Sequence, residues 1–188
     1  MIPRLLGLFV LIGALVVAET SISGRSEPPA TILFLCPHGG AKSVIAASYF
    51  NRLTKERGLP LAGIAAATEE PSDRVPPPVV ALLAQEGIDV SKYRPRRVER
   101  DDVARALRIV AIDCDLSKTD SGSFSVERWD DVPKVSEDLP GATRAIRRHL
   151  EKLVQEIAEM QSNRSASLNE FDHPNDWPSP SVRTCIPP

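Results

Sequence analysis

Cysteine is scarce in this chain, histidine is rarer than a metal site would need, and a basic excess is missing. The three cysteines among 188 residues, at 36, 114 and 185, are too few and too scattered for a disulfide scaffold. They form no C-x-x-C pair, and His149 and His173 lack metal-ligand spacing, so neither zinc nor any other cofactor is expected. Lys plus Arg total 23 against 25 Asp plus Glu, a formal charge of −2, which removes the electrostatic case for nucleic-acid binding. Internal repeats are absent as well. What is there is an ordinary globular composition, 42% hydrophobic and 26% charged, which excludes wholesale disorder. The length predicts one domain with appendages.

The densest apolar run is at the very start. Met1–Ala18 reads MIPRLLGLFVLIGALVVA, with Arg4 ahead of an unbroken apolar stretch from Leu5 to Ala18. Val16 and Ala18 occupy −3 and −1 of a cleavage point before Glu19. A basic start, a short apolar run and a small-residue exit describe a secretory signal peptide, hence an exported protein, periplasmic or extracellular. The run is shorter than the roughly 20 residues of a spanning helix. Left uncleaved it would be an N-terminal anchor, the one case in which a membrane becomes a partner. Glu19–Ala30 is polar with Ser, Gly and Pro and reads as a linker.

The body, residues 31–161, alternates strand and helix. Thr31–Cys36 (TILFLC) is a continuous apolar run of the kind found in buried parallel strands, Ala62–Thr68 reads as a second strand, Arg108–Asp113 (RIVAID) as a third apolar one, and Phe124–Trp129 as a candidate fourth. Helices are predicted from Ser43 to about Leu53, over Pro78–Glu86 with Gly87 closing it, from a cap at Asp101 or Asp102 to about Leu107, and over Pro140–Gln161. In the last, Ile146, Leu150, Leu153, Ile157 and Met160 step by 4, 3, 4 and 3 residues and form one apolar stripe. The alternation argues for an α/β domain with a parallel sheet. Residues 162–188 lose periodicity and read as a flexible tail in which Phe171 and Trp177 could dock.

The chemistry concentrates in Cys36-Pro37-His38-Gly39-Gly40-Ala41-Lys42-Ser43. It puts a thiol at the carboxyl end of a buried strand, where open α/β sheets bind ligands. A helix start follows, with unpaired N–H groups and the positive end of the dipole, which suits both an anion and a thiolate nucleophile. Gly39 and Gly40 allow positive φ and an inward-curled anion nest. Lys42 adds a cation six residues after the thiol. Ser43 can cap the helix or hydrogen-bond the sulfur. The competing reading is a buried structural cysteine before an ordinary glycine turn, with Lys42 a solvated lysine at a helix start.

Cys36 to Ser43 resembles the C-x5-R-S loop of low-molecular-weight protein tyrosine phosphatases and the related thioredoxin-coupled arsenate reductases. The likeness runs from Thr31 to about Ile157 and takes in ILFLC, SVIAASYFNRL, VPPPVVALLAQEGIDVSKYRPRRV, RIVAID and RWDDVP. It implies a four-stranded parallel sheet with helices on both faces, a three-layer sandwich. It also implies a thiolate, Cys36, that attacks phosphorus or arsenic and forms a phosphocysteine. Residues 38–43 would hold the oxyanion through N–H groups and the loop cation, and an Asp would protonate the leaving group. The partners implied are a phosphorylated protein or small phosphomonoester, with inorganic phosphate or arsenate as ligand. Two positions depart from the family pattern. The loop Arg is Lys42, a point charge where a planar fork grips two oxygens. The Asp-Pro of the acid loop is replaced by Val132-Pro133, leaving Asp131 as first and Asp130 as second candidate acid. Asp113 and Asp115 are weaker candidates, and Trp129 packs against the acid loop or stacks on substrate.

These residues rank a cysteine-dependent phosphomonoesterase first, one expected to be slow because of Lys42. A non-catalytic phosphate-binding protein comes second. An arsenate reductase comes third, since resolving an arsenic adduct needs further thiols and only Cys114 and Cys185 remain. The basic run Arg94–Arg100 reads as a solvated approach to a helix, with an anionic partner as its alternative.

Overall fold

The structure is a computed structural model and describes residues 29–116 and 126–170. The apolar leader, most of the linker, Phe124, Phe171, Trp177 and Cys185 lie outside the described residues.

The elements run β1 (Ala30–Cys36), α1 (Lys42–Glu56), β2 (Leu61–Ala67), α2 (Pro77–Gln85), α3 (Arg100–Arg105), β3 (Ala106–Ile112), β4 (Val126–Trp129) and α4 (Leu139–Glu170). The four strands form one sheet in the order β2-β1-β3-β4, every pair parallel. β1 lies inside the sheet, so both faces of its apolar run are covered. Its alternate residues separate cleanly: Ile32, Phe34 and Cys36 join the core shared with α1, α2 and α4, while Leu33 and Leu35 join the core under α3. The sheet therefore has helices on both faces, as expected, with the α3 side much the thinner. Cys36 faces the thicker core beside Phe34, whose ring meets Phe50 edge-on at 5.5 Å and Trp129 at 5.8 Å. Each fully buried aromatic of this kind contributes about 2–3 kcal/mol, so the floor beneath the thiol is a rigid part of the molecule.

Most boundaries differ from those expected by one to three residues, and those of α3 and α4 differ for identifiable reasons. α3 starts from Glu99 as N-cap, with Asp102 as the third residue of a reciprocal capping box; neither Asp101 nor Asp102 is the cap. It ends at Arg105 because Ala106 and the residues after it pair with β1. α4 runs to Glu170, nine residues past Gln161. SNRSASLNE contains neither Pro nor Gly to stop it, and Ser162 Oγ donates back to the Ala158 carbonyl (3.0 Å), so polarity alone does not end the helix. The basic run is not simply solvated. Ala67 donates to Arg96 O and accepts from Val98 N, Arg96 forks onto Asp102 at 2.6 and 2.7 Å, and Arg97 meets Glu70.

A pin on the far side of α1 ties three helices together. Glu86 accepts from Tyr49 Oη (2.7 Å), Arg52 (2.7 Å) and Arg147, and both guanidinium groups lie over the Tyr49 ring. Burial would raise the Glu86 carboxyl, but the Tyr49, Arg52 and Arg147 contacts outweigh it and hold the group below the usual range.

Candidate functional site

The loop between β1 and α1 is built by spending its carbonyls on one side and keeping its amides. Thr68 N donates to Cys36 O, Glu69 N to Pro37 O and Ser72 N to His38 O, at 2.9–3.1 Å. These bonds continue the β1–β2 pairing past the strand ends and fix the loop's path. Among the described residues, the N–H groups of Gly39, Gly40, Ala41, Lys42 and Ser43 have no acceptor in the protein. Five unpaired amides at a helix start are donors that an anion can use.

The two glycines do different jobs. Gly39 has φ +63°, and a Cβ there would fall 2.8 Å from Ala67 N, so both conformation and space demand glycine. Gly40 does not have the positive φ expected of it. It is favoured by proximity, because a Cβ would sit a tight 3.2 Å from the Ser72 side chain, which would have to give by a few tenths of an ångström.

Cys36 is buried, and its Sγ lies 3.1 Å from Ser43 Oγ. Ser43 therefore serves the sulfur and does not cap α1, whose N-cap is Ala41 with no side-chain bond. A hydroxyl there can donate to the thiolate form. His38 turns away from the thiol: its Nδ1 is 3.0 Å from Glu70 O. A carbonyl only accepts, so Nδ1 carries the proton and His38 is a loop brace.

Lys42 is the main surprise. Its side chain is buried, and Nζ donates to Asp113 Oδ2 (2.8 Å) and to Val132 O (2.9 Å). The loop cation is tied to the end of β3 and to the backbone of the acid loop. Asp113 holds φ +46°, the single positive φ among described residues other than glycine. From sequence alone this residue is one of the weaker candidates. The signal available was its place at the carboxyl end of RIVAID, the strand beside β1.

The acid-loop carboxylates are engaged elsewhere. Asp130 forks onto Arg128 at 3.1 Å. Asp131 accepts from His149 Nε2 (2.6 Å) and Arg148 (3.1 Å), and its bond to His149 holds the carboxyl below the usual range. Trp129 is buried, with its indole stacked on the His149 ring at 4.8 Å and Nε1 donating to Glu127. Its faces belong to the core and to His149, so it packs under the loop. Cys114 is also buried, its Sγ 3.6 Å from Leu35 O. Burial, with the nearby Cys36 sulfur, pushes its thiol up to about 11. The structure thus brings together Cys36, Ser43, the free amides, Lys42 and Asp113, and leaves Asp130, Asp131 and Trp129 on basic or aromatic partners. Among the described residues, no group of three His, Cys, Asp or Glu could hold a metal ion.

Known proteins carry the same frame. A putative arsenate reductase from Halobacterium salinarum is 25% identical over 97 residues, 51% of this chain and 68% of that one. Among solved structures, YfkJ from Bacillus subtilis aligns with a TM-score of 0.62 at 19% identity, covering 73% of this chain and 99% of its own. The low molecular weight protein tyrosine phosphatase from T. tengcongensis gives 0.57 at 19% identity, covering 69% and 98%. At such identities the two structures speak to fold alone. A family model described as low molecular weight phosphotyrosine protein phosphatase matches residues 31–127, which include the Cys36 loop and Asp113 and stop short of the acid loop. The chain belongs to the low molecular weight phosphotyrosine protein phosphatase family.

Proposed function

We propose that the protein is a cysteine-dependent phosphomonoesterase. The observation that carries this reading is the Cys36 sulfur held 3.1 Å from Ser43 Oγ, in a loop whose amides from Gly39 to Ser43 have no acceptor among the described residues. In the first step the Cys36 thiolate attacks phosphorus, an S–P bond forms, the ester P–O bond breaks, and the leaving oxygen takes its proton from solvent water. In the second, water attacks phosphorus, the S–P bond breaks, and inorganic phosphate and the thiolate are released. The free amides stabilise the equatorial oxygens through both steps.

Because Asp130 and Asp131 are held by Arg128, Arg148 and His149, proton delivery to the leaving group is the weak part of the site. Substrates with good leaving groups, aryl phosphates, suit it best. A second reading, a phosphate-binding protein with no turnover, is favoured by one observation: Lys42 spends two of its three N–H donors on Asp113 and Val132. Arsenate reduction, the activity in the printed name of the Halobacterium relative, is disfavoured by Cys114, a buried thiol pushed up to about 11.

Steady-state hydrolysis of an aryl phosphate by wild type and Cys36→Ser tests the reading, with arsenate in parallel. Turnover that disappears in the variant supports it. Phosphate binding without turnover replaces it with the second reading, and thiol-dependent arsenate reduction that needs Cys114 overturns it.

A further inference from the structure

The end of the molecule opposite the Cys36 loop carries an apolar groove of about 600 Å³ beneath the starts of three strands. Ala30 and Ile32, Leu61, and Leu107 line it from β1, β2 and β3, and Ile157 and Met160 close it from α4. Leu107 and Met160, 58% and 51% exposed, are the exposed large hydrophobics among the described residues, and both are here.

The charges around the groove are mostly cationic. Lys55 and Arg57 end α1, just before the Pro60–Leu61 edge, and Arg164 lines the groove from α4. All three are exposed, and among the described residues none has an acidic partner. The neighbouring Glu56, Asp101 and Glu156 are already bound to Arg52, Arg105 and Arg108, which leaves Glu159 as the nearby carboxylate without a cation.

The chain enters the domain at this groove. Pro29 and Ala30 are its rim, and residues 1–28 precede them. Those residues hold the 14-residue apolar run Leu5–Ala18, followed by ten residues, 19–28, that reach at most about 35 Å when extended. An apolar run tethered that closely confines any bilayer it enters to the neighbourhood of this face.

We propose that this face is a lipid-docking surface, and that in the chain retaining its first 28 residues it seats on an anionic leaflet. Leu107 and Met160 enter the interfacial region, Lys55, Arg57 and Arg164 meet lipid headgroups, and the Cys36 loop points away from the membrane. Each cation near an anionic surface strengthens partition by about fivefold. The run Leu5–Ala18 and the apolar face together supply the two signals that stable anchoring needs.

Oxidation of Met160 by a water-soluble oxidant, followed by mass spectrometry on the full-length chain, tests this. On phosphatidylcholine–phosphatidylglycerol vesicles the rate should fall by about tenfold relative to the vesicle-free chain. The variant Lys55→Glu/Arg57→Glu/Arg164→Glu, its circular dichroism unchanged, should still sediment with vesicles through its leader while Met160 regains the free rate. Four results overturn the proposal. The wild type fails to bind these vesicles. Bound wild type is oxidised at the free rate, which means the domain hangs loose on its linker. Met160 is protected without vesicles, which means another part of this chain or a second copy covers the groove. Protection survives the charge reversal, which means an anionic surface is not what the face recognises.

Discussion

Breaking the Lys42–Asp113 pair tests whether the loop cation is a structural tie. Asp113→Asn is the cleaner perturbation, because Asn tolerates the φ of +46° and keeps an oxygen near Nζ, so the change is chiefly one of charge. At 2.8 Å the gross attraction is about 1.5 kcal/mol in bulk water and about 6 kcal/mol at an effective dielectric of ~20. The Lys42 side chain is 9% exposed and that of Asp113 is 53% exposed, so solvent screens one partner and desolvation of the other offsets part of the gain. The net coupling expected is about 1–3 kcal/mol, above a surface pair and below a fully buried one.

The assay is urea unfolding of wild type, Lys42→Met, Asp113→Asn and the double variant, with the slope of each transition required to match. Each single change should destabilise, and the double variant should be less destabilised than the sum by that coupling. Val132 O keeps a donor in Asp113→Asn and loses it in Lys42→Met, so the lysine change should be the larger. A coupling within about 0.3 kcal/mol of zero refutes the argument, since the two groups would then behave as independent sites.

Gly39→Ala should cost about 2–4 kcal/mol by thermal or urea unfolding, from the positive φ and the Cβ 2.8 Å from Ala67 N, whereas Gly58→Ala, with positive φ but nothing nearby, should cost about 1 kcal/mol. Asp131→Asn should leave aryl phosphate turnover within about threefold of wild type, because a carboxyl held ionised by His149 is a poor donor; a loss of a hundredfold or more would make it the general acid. For Glu86 the carboxyl is lowered in the fold, so the stability it adds is fully present above the unfolded value near 4.3 and is lost as pH falls through the folded value. Glu86→Gln should therefore be less stable than wild type at neutral pH and lose less stability on acidification, read as unfolding midpoints between pH 7 and 3. At pH 8 a Cys114 thiol near 11 is only about one part in a thousand thiolate, so alkylation of Cys114 in the native protein should be slower than in urea by at least about a hundredfold.

What could be read from the sequence was what is local. The strand end, the glycine pair, the helix start and the thiol occupy eight consecutive residues, 36–43, and each constrains the next, so the path of the loop follows from short-range stereochemistry. Even there two mechanisms operate, since Gly39 is needed for its φ and its 2.8 Å approach to Ala67 N, whereas at Gly40 a side chain would crowd Ser72, a residue 32 positions away in sequence. The partner of Lys42 was out of reach for the same reason. Asp113 is 71 residues distant, and only the adjacency of β1 and β3 brings it to the loop. The end of α4 lies beyond the expected one in the opposite sense: a polar run looks like a tail when the apolar stripe stops, yet a helix already nucleated continues through residues of middling propensity where neither Pro nor Gly breaks it.

The acid loop joins these two limits and decides how the site should be regarded. Sequence alone offers two adjacent carboxylates, with Asp131 placed ahead of Asp130 as the acid. In the fold the choice is made by α4, which presents Arg148 and His149 to Asp131, while Arg128 takes Asp130. What the loop contributes to the cradle is a carbonyl, that of Val132, and the group it binds is the cation that would otherwise face an oxyanion. One ammonium therefore links nucleophile loop, β3 terminus and acid loop. A bound oxyanion can recruit Lys42 only through its third N–H or by displacing Asp113 or Val132. Oxyanion affinity and stability of the acid loop are coupled through that residue, with opposite signs if the lysine must let go. Asp113→Asn should then bind phosphate more tightly while unfolding more readily, a combination that a simple surface ion pair does not produce.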